Sequence, residues 1–119
     1  MIAIVDDYEN VREGLAGLLR SFGYRTSTYG SAEDFLESGK LNQISCLITD
    51  IRMPGMTGFD LQDRLNAEGH RIPIIFITAH GDDNARARAL NAGAVAFLAK
   101  PIDADHLVAC ISKVPSLKL

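Results

Sequence analysis

The sequence predicts a three-layer, doubly wound α/β domain: a five-stranded parallel sheet with helices on both faces. Two observations predict it. Short strand-like runs alternate with segments whose apolar residues recur at helical spacing. Most of those runs are apolar along their whole length, as strands covered on both faces must be. A length of 119 residues fits one such domain with one core.

The first strand is "IAIV" (2–5). Val11, Leu15, Leu18, Leu19 and Phe22 then fall on one helical face, and Gly23 ends that helix. "YRTSTY" (24–29) is a more polar strand, suited to an edge. Ser31 caps a short helix, with Asp34 three residues on as a weak capping box. "SCLIT" (45–49) is a buried strand, "PGMTG" (54–58) a turn, and Phe59, Leu61 and Leu65 mark the next helix. Pro73 opens the strand "IIFIT" (74–78). The stretch from Asp83 to Asn91 is rich in the helix formers alanine and arginine, and Gly93 stops it. "AVAFLA" (94–99) is the fifth strand, and Leu107, Val108, Ile111 and Val114 give a last helix ended by Pro115.

Hydrophobic residues make up 47% and charged residues 23%, an ordinary globular mix that argues against disorder. Twelve basic against fifteen acidic residues leave a net charge of −3, which argues against direct nucleic-acid contact by this domain. No apolar run is long enough to cross a bilayer, and "MIAIVDDYEN" lacks the features of a secretory leader, so a cytoplasmic, membrane-free protein is expected. Cys46 and Cys110 lack CxxC spacing or nearby histidines and read as buried thiols.

Open parallel sheets bind ligands beyond the carboxyl ends of their strands. The polar residues there are Asp6 and Asp7 after the first strand, Asp50 after the third, Thr78 and His80 at the fourth, and Lys100, followed by Pro101, after the fifth. Three carboxylates on one rim repel one another, and a hard cation such as Mg²⁺ resolves this with oxygen ligands. With Lys100 and the Thr78 hydroxyl added, the set suits phosphoryl transfer to a carboxylate nucleophile.

Four motifs occur in order: "DD", "DIRMPGMTG", "TAH" and "KP". Each is weak alone. Together they make the chain resemble the receiver domain of bacterial two-component response regulators over nearly its whole length. "TAHGD" and "GAVAFLAKP" are most similar to nitrogen-fixation-type regulators, whose usual output is a LuxR-type DNA-binding domain. The resemblance implies a flavodoxin-like fold with strand order 2-1-3-4-5. It implies that Asp50 accepts a phosphoryl group from a sensor histidine kinase. Asp7 would ligate Mg²⁺ directly, Asp6 through water, and the Arg52 backbone carbonyl would complete the site. Thr78 would bind the phosphoryl group after switching, with Lys100 as its ion-pair partner. Phe97 would be the switch aromatic, rotating inward on phosphorylation without a hydroxyl to bond. The Lys100–Pro101 bond would be cis, and Thr57, where Asp is common, would affect the start of a helix. Arg52 and His80 lie two residues beyond Asp50 and Thr78 and are expected to tune the phosphoryl lifetime. A phosphorylation-dependent homodimer is expected through the helix 4, strand 5, helix 5 face, with Arg86, Arg88, Val95, Asp103 and Asp105.

Each residue alone has a plainer reading. Asp7 could be an N-cap and Asp50 a turn former. Arg86 and Arg88 could form a solvated face, and Phe97 could be ordinary core. A haloacid-dehalogenase-like phosphatase would carry its nucleophile in a DxD motif after the first strand, where this chain has "DD". A flavodoxin-like cofactor binder would need a phosphate cradle there, and "DDYENVREG" is acidic. The receiver reading is not that of a turnover enzyme. Residues 1–114 read as the receiver and 115–119 as a tail or the start of a linker to an output domain; the alternative is a stand-alone regulator acting by protein contact.

Overall fold

A computed structural model describes residues 1–79 and 81–114. The chain runs β1 (Ile2–Val5), α1 (Glu9–Ser21), β2 (Thr26–Tyr29), α2 (Ala32–Glu37), a 3-10 turn (Leu41–Gln43), β3 (Cys46–Asp50), α3 (Gly58–Ala67), β4 (Ile74–Thr78), α4 (Asp83–Asn91), β5 (Ala96–Ala99) and α5 (Ala104–Ile111). All strand pairs are parallel, in the order β2-β1-β3-β4-β5. The expected fold and order are both found.

Alternation along the strands divides the core in two. Ala3, Val5, Leu47, Phe76 and Phe97 face Phe35, Phe59, Leu61, Leu65 and Ala89 of α2, α3 and α4. Ile2, Ile4, Ile48, Ile75, Ile77 and Leu98 face Leu15 and Leu19 of α1 and Leu107, Cys110 and Ile111 of α5. Both faces are covered, which is why the central strands carry no polar alternation. Each such large side chain contributes about 1.5–3 kcal/mol by leaving water. Phe76→Ala, which would open a cavity at the centre of the first layer, should cost roughly 3–5 kcal/mol.

The differences from the sequence expectation are local. All four residues of β2 are half-buried, as an edge strand allows, and it begins at Thr26, two residues late. β5 begins at Ala96 because the Ala94 N–H still bonds the Ala89 carbonyl at the α4 end. Ser31 makes only the forward half of its box, accepting from the Asp34 N–H. The full capping box is at Thr57, which exchanges hydrogen bonds with Asp60. α5 stops at Ile111, although Val114 remains buried; Pro115 and the tail lie outside the described residues. Cys46 and Cys110 are free and buried, and burial pushes the Cys46 thiol up to about 12, so it stays protonated. No helix among the described residues is long and apolar enough to cross a membrane.

Candidate functional site

The strand order reverses between β1 and β3. Register then places the polar rim. Val5 pairs with Thr49, Asp50 with Ile77, and Thr78 with Ala99. Asp6, Asp50, Thr78 and Lys100 therefore step along one edge of the sheet, at the point where a doubly wound fold opens a crevice.

Asp6 is wholly buried and its two oxygens have separate partners. Oδ1 accepts from the Tyr8 N–H at 2.9 Å, and Oδ2 accepts from Lys100 Nζ at 3.1 Å. The Asp6 backbone carbonyl accepts from Arg12 Nη1 at 2.9 Å, tying the rim to α1. Burial raises the Asp6 carboxyl above its ordinary value, helped by the Asp50 charge and opposed by the Tyr8 N–H and Lys100. Asp7 is exposed and does not cap α1: the N-cap is Tyr8, with no side-chain cap bond. That removes the N-cap reading and leaves the Asp7 carboxylate lining the cleft.

Asp50 is the last residue of β3 and is 5% exposed. Its Oδ1 accepts from the Ile51 N–H at 2.7 Å and the Arg52 N–H at 3.4 Å. Its Oδ2 accepts from Lys100 Nζ at 2.9 Å. The buried strand thus ends on a carboxylate because two backbone donors and an ammonium compensate its charge. Lys100 bridges Asp50 and Asp6. Burial alone would lower its ammonium, but the two carboxylates outweigh burial and the net direction is up. The Lys100–Pro101 bond is cis, as the resemblance implies.

Thr78, the last residue of β4, is buried on the same rim, and its carbonyl accepts from the Lys100 N–H at 2.8 Å. Asp7, Tyr8, Asp50, Arg52, Thr78 and Lys100 line one cleft. Asp6, Asp7 and Asp50 each offer an oxygen within 4.8 Å of the others. Three close carboxylates, one of them exposed, fit a hard divalent cation, whose ligands are oxygens. His80 lies outside the described residues.

Phe97 is not in the cleft. Its ring is already inside, 7% exposed, packed with Phe76 and Ala89. The ring thus sits on the core side of β5 in this structure. Arg86 Nη1 donates to the Phe97 carbonyl at 3.4 Å. Arg88 turns away from that face: its guanidinium lies 4.4 Å from the Phe59 ring centroid and 3.5 Å from Asp63 Oδ2. Of the expected residues, Arg86 and Val95 line the cleft between α4, β5 and α5, together with Leu90, His106 and Lys113.

Sequence reasoning missed three contributors. Tyr8 overhangs the cleft, with Lys100 Nζ 6.0 Å from its ring. Gly58 lets α3 approach β3, since a Cβ there would collide with the Asp50 carbonyl oxygen, and its N–H bonds the Ile51 carbonyl at 2.8 Å. Glu33 Oε2 holds the Met56 N–H at 3.3 Å, steadying the turn after Asp50. Gly58, the second glycine of "PGMTG", was visible in the sequence, but what approaches it was not.

A doubly wound sheet with buried and exposed carboxylates around a lysine at its switch point defines a small α/β domain able to hold a cation beside an anion. Residues 2–112 match the response regulator receiver domain, and the chain belongs to that family. The match places it with receivers and not with conventional enzymes. It is 43% identical over 111 residues to the response regulator protein TmoT of Ectopseudomonas mendocina, covering 93% of this chain and 50% of that one. It is 39% identical over 110 residues to the transcriptional regulatory protein FixJ of Azorhizobium caulinodans, covering 92% and 52%. The solved structure of the response regulator StyR superposes with a TM-score of 0.89 at 46% identity, covering 98% of this chain and 59% of that one. The chain spans about half the length of the curated relatives it matches.

Proposed function

We propose that Asp50 accepts a phosphoryl group from a sensor histidine kinase and that the altered charge at the rim changes the α4-β5-α5 face. The observation that carries this reading is the Lys100 ammonium held against both Asp50 and Asp6, beside the exposed Asp7. An Asp50 oxygen attacks phosphorus, an O–P bond forms, and the bond from phosphorus to the kinase imidazole breaks. Lys100 is already within hydrogen-bond reach of the nucleophile and can follow the new anion. Thr78 is the hydroxyl donor on the neighbouring strand end. Tyr8 and Arg52 border the entrance. Mg²⁺, held by Asp7, Asp50 and the Arg52 carbonyl and by Asp6 through water, would neutralise the acidic cluster and the phosphoryl oxygens. Arg52 and His80, two residues beyond Asp50 and Thr78 in sequence, are assigned to tuning the phosphoryl lifetime, and exchanging either changes it.

Because Phe97 is already inward, phosphorylation in this reading raises the share of the inward state and does not create it. The output is transcriptional. Names of relatives such as the transcriptional regulatory protein FixJ, and their roughly doubled length, support a receiver at 1–114 followed, from 115–119 onward, by a linker to a LuxR-type DNA-binding domain. The setting is the cytoplasm, where such a kinase presents its phosphohistidine.

Intact mass after incubation with acetyl phosphate and Mg²⁺ tests the proposal. One added phosphoryl group is expected, absent in Asp50→Asn. Equal labelling of that variant would falsify the assignment.

A further inference from the structure

Gly81 lies between β4 and Asp82, the N-cap of α4. Several of this chain's glycines, Gly14, Gly17 and Gly23 among them, have open space where a side chain would go. Gly81 does not. A Cβ there would lie 2.6 Å from Phe97 Cε1, 3.0 Å from Phe97 Cζ and 2.9 Å from Thr78 Cγ2. The edge of the Phe97 ring and the Thr78 methyl flank the space that a side chain at 81 would fill.

The Phe97 backbone has little freedom to yield. Phe97 is in register with Phe76, and its carbonyl accepts from Arg86. Relief of a contact at 81 must come from the side chains. The Phe97 ring belongs to the α2-α3-α4 layer of the core and also lines the cleft between α4, β5 and α5, so the direction open to it is outward. Close-packed interiors resist even one added carbon.

We propose that Gly81 is a positioning residue that keeps open the inward seat of the Phe97 ring beside Thr78. The proposal rests on the reading of Thr78 and Phe97 as a switch pair. A side chain at 81 would evict the ring, and phosphorylation at Asp50 would no longer be transmitted to the α4-β5-α5 face. The atoms nearest a Cβ at 81 belong to Phe97 and the Thr78 methyl and not to a rim carboxylate, so the chemistry at Asp50 would persist.

The test uses the full chain with carbon-13 in its phenylalanine rings and a soluble paramagnetic probe. In Gly81→Ala the Phe97 signals should move and gain solvent relaxation, while those of Phe35 stay in place. Melting gives an independent reading. Gly81→Ala should lower the melting temperature in the native background and lose most of that effect in Phe97→Ala, where no ring remains to be displaced. Unmoved Phe97 signals would overturn the proposal. So would an equal drop in both backgrounds, because the glycine would then serve the backbone alone. Labelling by acetyl phosphate should be retained in Gly81→Ala, with no further change in the Phe97 signals on labelling. If the native chain itself fails to label, the phosphoacceptor reading falls, while the ring and melting results still decide the seat.

Discussion

Lys100 Nζ lies 2.9 Å from Asp50 Oδ2, and the same ammonium reaches Asp6 Oδ2 at 3.1 Å. One cation from β5 thus compensates two buried carboxylates from β1 and β3. Removing it leaves both without their ion-pair partner. Lys100→Met should lower metal-free stability by roughly 3 kcal/mol. It should also slow labelling by about 10²-fold or more, because a preorganised donor to the developing charge is gone. Chemical denaturation and stopped labelling reactions measure the two effects. A Lys100→Met chain as stable as the native one would mean that the bridge contributes nothing.

Asp6 predicts a pH dependence. Burial holds its folded value above the ordinary 3.8. A raised carboxyl stabilises the fold fully below the unfolded value and loses that contribution as pH rises through the folded one. The metal-free chain should therefore gain stability from Asp6 as pH falls from neutral toward that window. Asp6→Asn should be more stable than the native chain at pH ~7 and should lack this part of the profile. A native profile unchanged by the substitution would contradict the desolvation account.

The exposed Asp7 and the buried Asp6 predict different metal losses. Asp6 already spends its oxygens on Tyr8 and Lys100, whereas Asp7 is free to face a cation at the cleft. Asp6→Ala should weaken Mg²⁺ binding by roughly tenfold, as for a group acting through water. Asp7→Ala should weaken it further. Titration calorimetry giving the reverse order would exchange the two roles.

The α4-β5-α5 face predicts assembly. Leu90 and Val95 are 40% and 38% exposed there, with Arg86, His106 and Lys113 around them. Asp103 and Asp105, at the start of α5, supply the opposite sign. Sedimentation should show a monomer without phosphate and a dimer with it, lost in Val95→Asp. A fully labelled chain that stays monomeric at high concentration would favour a stand-alone regulator with another partner.

Much of this was legible in the sequence because apolar strands end on polar residues, and parallel register carries those ends to one rim. Asp6, Asp7, Asp50, Thr78 and Lys100 were found that way. The different burial of Asp6 and Asp7 was not, since adjacent aspartates look alike until the fold hides one and exposes the other. The turn of Arg88 toward Phe59 depends on how α3 and α4 pack, which no local pattern encodes. The same holds for the clearances at Gly58 and Gly81, which involve segments distant in sequence. The seat of the Phe97 ring beside Thr78 is likewise set by packing between distant segments and not by local sequence.

The central claim is that Asp50 is the nucleophile. Borohydride reduces an acyl phosphate to an alcohol, which would turn a phosphorylated Asp50 into homoserine. After incubation with acetyl phosphate and Mg²⁺, reduction and peptide mass mapping should find homoserine at position 50 alone, and a chelator should abolish it. An intact Asp50 with the modification at Asp6, Asp7 or another site would contradict the account.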